Sequence, residues 1–84
     1  MEQKAPIHMT KAQQMLDIAC ETKQHVSVKA WEGSTGNILE YNNWLVSSSS
    51  WRKGWHKLIN PVSGEIRTVP DIFIFNVNGH PIYL

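Results

Sequence analysis

The chain has a single cysteine, Cys20, among its 84 residues. One cysteine excludes an internal disulfide and any zinc site built from several cysteines. Apolar runs are never longer than a few residues, so no segment is long enough to cross a membrane as a helix. We therefore expect no membrane partner. Residues 1–11 also lack the apolar core of a signal peptide, and the cytoplasm is the expected compartment.

The chain also has almost no net charge, because eight basic and seven acidic residues leave a formal charge of +1. Such a small excess gives no bulk attraction to nucleic acid or to an anionic membrane. Acidic residues are missing between Glu40 and Glu65, so a local positive field is expected there. The hydrophobic fraction of 42% is typical of a globular protein, and this length allows one domain with one small core.

Motifs for catalysis or metal binding are missing as well. General acid–base chemistry needs ionisable groups that converge, and the acidic residues are scattered without a histidine, serine or cysteine motif beside them. No two of the four histidines have the i, i+4 spacing of a helical zinc site. They are His8, His25, His56 and His80, and we expect them at the surface or at strand ends. Cys20 is expected as a buried, inert thiol. The sequence predicts a non-enzymatic protein with no cofactor and no metal.

The clearest structural signal present is a β-hairpin in residues 71–84. Asn78 and Gly79 tolerate the positive φ angles of a two-residue type I′ turn, and apolar runs stand on both sides of them. This turn predicts that Asn76 pairs with Pro81. Because proline is tolerated in a sheet mainly at its edge, we expect the final strand to be the open edge.

A helix is predicted ahead of the strands. Thr10 suits the N-cap position, and Gln13 completes a capping box. The helix is expected to end near Thr22 or Lys23, and residues 1–9 are expected to form a flexible arm. Spacings of three and four residues give the helix one apolar side, formed by Ala12, Met15, Leu16 and Ala19. Three turns are marginal alone, so this side should pack on the sheet.

From His25 onward the apolar pattern alternates with a period of two, which is typical of strands. The predicted strands after this one are residues 37–47, 55–60 and 65–69, followed by the hairpin, with an exposed loop at residues 47–54. Asn42-Asn43 interrupts the long strand as a bulge or as a turn, of which we favour the bulge. Without βαβ alternation, the sheet should be antiparallel.

These elements predict a mostly β protein of the α+β class. An N-terminal helix precedes a small, strongly bent antiparallel SH3-like barrel of five to six strands, in a single domain over residues 10–84. The order helix, VSVKAW, glycine-containing turn, long bent strand and late I-x-I-x-x-V-N-G segment resembles the plan of Sm-like and other SH3-like small barrels. The Asp and Asn with which Sm-like proteins hold an RNA base have no counterpart here, and Val77-Asn78-Gly79 stands where they have Arg-Gly. The resemblance therefore implies a fold and no RNA-binding residues.

One short segment combines aromatic and basic residues. It contains Trp51, Arg52, Lys53, Trp55 and Lys57 within seven positions. Indoles that stack on bases beside cations that follow phosphates are typical of proteins that bind single-stranded nucleic acid. A core tryptophan with a neighbouring cation over its ring would give the same pattern. Nucleic-acid binding through this segment is therefore an alternative function.

The first-ranked function is binding of a protein partner or self-association. An exposed edge strand can pair with a strand of a partner or of a second copy. The expected interaction edge is the final segment, His80, Pro81, Ile82, Tyr83 and Leu84. The sequence does not decide between this edge and the aromatic and basic segment. A third variant is an aromatic cage for a cationic ligand, built from Trp31, Tyr41 or Trp44.

Overall fold

The computed structural model describes residues 4–50 and 53–84, without the side chains of Ser49 and Ser50. Within these residues it contains one α-helix, seven strands and one short 3-10 helix. In chain order they are β1 (Ile7–His8), α1 (Met9–Thr22), β2 (His25–Trp31), β3 (Ile38–Ser50), β4 (Trp55–Ile59), β5 (Ile66–Pro70), the 3-10 helix (Asp71–Phe73), β6 (Ile74–Val77) and β7 (His80–Tyr83). The predicted mostly β architecture behind an N-terminal helix is confirmed.

The strands form one sheet in the order β1-β7-β6-β2-β3-β4-β5. All neighbours are antiparallel except β1 and β7, which are parallel. In the part of the chain that the structure describes, the two outermost strands do not pair with each other, so the sheet is open. Closure into a barrel therefore stays a prediction.

Two irregularities bend this sheet. The register of β2 against β3 shifts between Val26 and Val28, across from Asn43, which has a φ of +59°. Since β3 continues through this point, the favoured bulge is confirmed and a turn is excluded. A second shift lies between Val46 and Ser48, where β3 meets β4. Bulges increase the local twist of a strand, so the sheet curves around the core.

Strand β3 runs further than predicted. Residues 48–50 pair with residues 55–57 of β4, so a strand replaces the first part of the loop expected at residues 47–54. Serine is not among the residues that are enriched in strands, so the backbone pairing to β4 determines the conformation here. The long strand thus extends over 13 residues.

The core lies between α1 and the inner face of the sheet. As predicted, Ala12, Leu16 and Ala19 are the buried residues of α1, with Met15 partly buried beside them. The alternation of β2 is confirmed too, since its core residues Val26, Val28 and Ala30 are all buried. Cys20 is partly buried at the margin of this core.

The N-cap of α1 is His8, and the predicted cap at Thr10 is wrong. Nδ1 of His8 accepts a hydrogen bond from the backbone N–H of Thr10 at 3.1 Å. The helix begins at Met9, so Thr10 already lies within its first turn. An imidazole nitrogen replaces the hydroxyl that the sequence suggested.

The turn of the terminal hairpin is confirmed. Asn78 and Gly79 have φ angles of +52° and +89°, as a type I′ turn requires, and Asn76 pairs with Pro81. The turn is attached to β2, because the Ser27 N–H donates to Asn78 Oδ1 at 2.9 Å and the Ser27 carbonyl accepts from the Asn78 N–H at 2.7 Å.

The first strand of the hairpin is shorter than predicted, because residues 71–73 form the 3-10 helix instead. Asp71 is 2% exposed and its carboxylate is hydrogen-bonded inside the protein. This contact holds Asp71 inside the protein three residues before β6 begins at Ile74.

Strand β7 is not the open edge of the sheet, so this prediction is wrong. Residues 4–8, the described part of the expected arm, run beside it. Ile7 pairs with Ile82, and the Lys4 N–H donates to the carbonyl of Gly79 at 3.3 Å. These contacts occupy the side that Pro81 was expected to leave free.

No helix among residues 4–50 and 53–84 combines the length and the apolar character needed to span a membrane.

Candidate functional sites

The outer side of β5 is unpaired within the described residues. Its inner side pairs with β4 without a register shift. Two hydrogen bonds at the ends of this pairing determine which residues of β5 direct their N–H and C=O groups toward β4. The Asn60 N–H donates to Glu65 O, and the Asp71 N–H donates to Gly54 O, each at 2.8 Å. In an antiparallel ladder, hydrogen-bonded pairs recur at every second residue. The amides and carbonyls of Ile66 and Thr68 therefore point outward.

Pro70 occupies the third outward position of β5. It has no N–H, so the edge offers two amide donors and three carbonyl acceptors to another strand. Residues 66–68 and Pro70 are exposed, and Ile66 keeps 53% of its surface accessible. An exposed edge with an apolar side chain favours pairing with another strand.

A cleft of about 200 Å³ adjoins this edge. The cleft is lined by three consecutive residues of β5, Thr68, Val69 and Pro70. Successive residues of a strand point to opposite faces of the sheet, so the cleft lies at the edge of β5 rather than on one face of the sheet. Its opposite wall includes Trp31 and Tyr41.

Two of the three rings expected in an aromatic cage line the cleft, and the third does not. Trp44 is buried and packs edge-on against Tyr41, with ring centroids 4.9 Å apart. Burial raises the pKa of the Tyr41 phenol, which the charge of Arg67 opposes in part. Trp31 is 45% exposed, and the centroid of its ring lies 4.9 Å from that of Phe75. The cage prediction is not tested by this arrangement.

The aromatic and basic segment is described in part, since Trp51 and Arg52 lie outside the described residues. Lys53 is exposed in the turn before β4. Trp55 is half-buried, and the Nζ atom of Lys57 lies 5.7 Å from the centre of its ring. Trp55 and Lys57 thus share the outer face of β4.

At the predicted C-terminal edge, the last two residues are the most exposed. Tyr83 and Leu84 are 53% and 86% exposed. His80, Pro81 and Ile82 are half-buried. The Nδ1–H of His80 donates to the carbonyl of Ala5 at 2.9 Å. Binding there stays a prediction, and it would have to use side chains rather than strand pairing at Ile82 and Tyr83.

A polar cluster, which we call the His56 cluster, consists of the buried residues His56 and Asp71 and the partly buried residues Gln13 and Asp17. His56 is fully buried, so the prediction of a surface imidazole is wrong for this residue. Its Nδ1 lies 2.6 Å from Asp71 Oδ1, and its Nε2 lies 3.0 Å from Asp17 Oδ1. The amide of Gln13 donates to Asp71 Oδ2 at 3.0 Å.

Charge compensation explains how this cluster is tolerated in a small core. Burial is the largest single influence on His56 and lowers its pKa. Hydrogen bonds and charge from Asp71, and then from Asp17, together outweigh burial, so the pKa of His56 is raised. Both ring nitrogens face carboxylates, which leaves neither nitrogen available to a bound ligand. Among the described residues, no group of three or more His, Cys, Asp or Glu side chains is arranged to hold a metal ion.

Comparison of the chain with models of protein families, with curated proteins and with solved structures gives no match. The function is therefore inferred from the geometry of the chain itself.

Proposed function

We propose that the protein is a non-enzymatic interaction module that pairs β5 with a strand of a protein partner, most simply β5 of a second copy. The unpaired outer side of β5 among the described residues is the observation that supports this proposal. Backbone pairing supplies affinity in strand addition, and the neighbouring side chains supply specificity.

The edge is compatible with two-fold symmetry about Thr68. An antiparallel pair centred there would let the Thr68 N–H of each copy donate to the Thr68 carbonyl of the other. The Ile66 N–H of each copy would donate to the opposite Pro70 carbonyl, so the missing amide of Pro70 removes only one potential donor per copy. Each such bond contributes about 0.5–1.5 kcal/mol net, and a small interface of this kind binds weakly.

The opposite edge of the sheet limits growth beyond two copies. β1 covers β7 with only two residues, followed directly by α1. Very short edge strands are one way in which natural sheets avoid uncontrolled edge pairing. A closed dimer through β5 is therefore favoured over an open chain of copies.

Thr68→Pro tests the pairing. Proline removes an outward N–H, so it should abolish dimers without breaking the ladder to β4. Thr68→Val keeps the N–H and is the matched control. We expect sedimentation equilibrium to show a concentration-dependent dimer, dissociating in roughly the micromolar to millimolar range, for the parent and for Thr68→Val. Thr68→Pro should sediment as a monomer.

Circular dichroism of all three proteins checks that the proline variant is folded. A parent protein that stays monomeric at the highest concentration would reject self-association. In that case, selection of displayed peptides against the parent, with counter-selection on Thr68→Pro, tests another partner. Peptides that bind both proteins equally would reject the β5 edge altogether.

We further propose that the bent sheet is a small SH3-like barrel that is left open at the outer side of β5. Two features support this finer assignment: β6 returns to lie beside β2, and two bulges curve the long strand β3.

Nucleic-acid binding is the second candidate, supported by the shared face of Trp55 and Lys57. Titration of a labelled single-stranded oligonucleotide at low and moderate salt tests it, because the phosphate contribution is strongest at low salt. Lys57→Gln should weaken binding, whereas Lys11→Gln on the exposed side of α1 should not. Absence of binding at low salt would reject this function.

A further inference from the structure

The His56 cluster joins three separate elements at one point. Asp17 comes from α1, His56 from β4 and Asp71 from the 3-10 helix. The side chains of His56 and Asp71 are 0% and 3% exposed, whereas that of Asp17 is 34% exposed. The contact to Asp17 is therefore the one that water can reach.

The two contacts of the ring require a charged imidazole. A carboxylate can only accept, so each short contact needs an N–H on the ring. Neutral imidazole carries one N–H, and only the imidazolium carries two. In the neutral ring one nitrogen lone pair would face a carboxylate, which is repulsive.

We propose that the His56 cluster is a pH-sensitive contact that joins α1 to the sheet when the imidazole is protonated and that loses the hydrogen bond between His56 and Asp17 when the imidazole is neutral. The proton that remains should stay on Nδ1. The Asp71 contact is the shorter one, and Gln13 also holds that carboxylate. The side chain of Asp17 is partly exposed, so water can replace the His56 N–H at its carboxylate.

The charges around the ring determine the direction of the response. Among the described residues, Asp17 from α1 and Asp71 from the 3-10 helix are the charged groups that act on His56. Their combined effect raises its pKa in the folded protein above the unfolded value of about 6.5. The stabilisation is therefore complete below about pH 6.5 and is lost as pH rises through the raised folded pKa.

Nuclear magnetic resonance of the intact chain tests the proposal. The ring signals of His56 and the backbone amides of α1 are followed from about pH 5.5 to about pH 9.5, a range that covers the titration of histidine. We expect the backbone amide signals around Asp17 to shift with the same pH midpoint as the ring signals of His56. That midpoint should lie measurably above pH 6.5. Amides of the β6–β7 turn should not follow it.

Asp17→Asn separates this response from a purely structural role. The amide of asparagine can accept from an N–H or donate to a bare nitrogen, so the contact persists in both states. The variant should keep a titrating His56 and lose the coincident shift of the α1 amides. Glu21→Gln, an exposed acid one turn further along α1, is the matched control and should respond like the parent.

Three results would overturn the proposal. The first is a His56 ring that does not titrate within the range, and the second is α1 amides that follow a different midpoint. The third is an unchanged coincident shift in Asp17→Asn.

Discussion

His56→Ala is expected to lower the free energy of unfolding by about 3–5 kcal/mol, the usual effect of removing one partner from a buried ion pair. The substitution leaves the buried carboxylate of Asp71 without its cation and opens a cavity beside it. A domain of this kind has roughly 5–15 kcal/mol of stability in total, so a large fraction of it would be lost. Urea unfolding near pH 6 measures the effect, because His56 is charged there.

Two further variants make this result interpretable. His25→Ala removes an exposed imidazole and should change stability by less than about 0.5 kcal/mol. His56→Leu combined with Asp71→Asn removes both charges of the buried pair, and it should recover part of the loss because no uncompensated charge remains there. Equal effects of His56→Ala and His25→Ala would show that the His56 cluster is not buried as described.

Leu16→Ala is expected to have the second largest effect, a loss of about 2–5 kcal/mol. Leu16 is 1% exposed and belongs to the core that α1 shares with the sheet. Truncation removes apolar contacts and leaves a cavity that close-packed neighbours fill only in part. Thermal and urea unfolding measure the change.

Ile18→Ala is the matched control for this prediction. It removes a similar side chain two positions along the same helix, where 55% of the residue is exposed. We expect a loss below about 1 kcal/mol, since an exposed side chain gains little from folding. If the two substitutions were equally harmful, α1 would have to pack on the sheet through a different face.

Features that depend on neighbours in sequence could be predicted. The type I′ turn follows from Asn78-Gly79 alone, and the buried alternation of β2 follows from its period of two. The bulge at Asn43 was suggested by two adjacent asparagines within an apolar strand. Each of these signals is contained in a few consecutive residues, where local conformational preference decides the outcome.

The His56 cluster could not be predicted in this way. His56 meets Asp71 across 15 positions and Asp17 across 39 positions, so no motif joins them. A partial signal existed, because His56 and Leu58 alternate with Trp55 and Lys57 and share the inner face of β4. That alternation indicates a buried imidazole, although it does not identify the carboxylates.

The prediction of the open edge is wrong for a related reason. Pro81 predicts an edge at β7, yet Pro70 ends β5 and supports the same argument there. The residues that cover β7 show no periodic pattern, because two-residue strands have none to show. Tertiary pairing alone determines where β1 lies.

The parallel pairing of β1 with β7 has a consequence for how the chain folds. It joins residues 75 positions apart, as the bond between Ala5 and His80 illustrates. Closing so large a loop is entropically unfavourable, and two residues of strand supply little compensation until the rest of the sheet exists. We infer that the β6–β7 hairpin and the β2–β3 ladder form earlier, and that residues 4–8 join last. The same segment should open first under mild denaturant, uncovering β7 while the core is still intact.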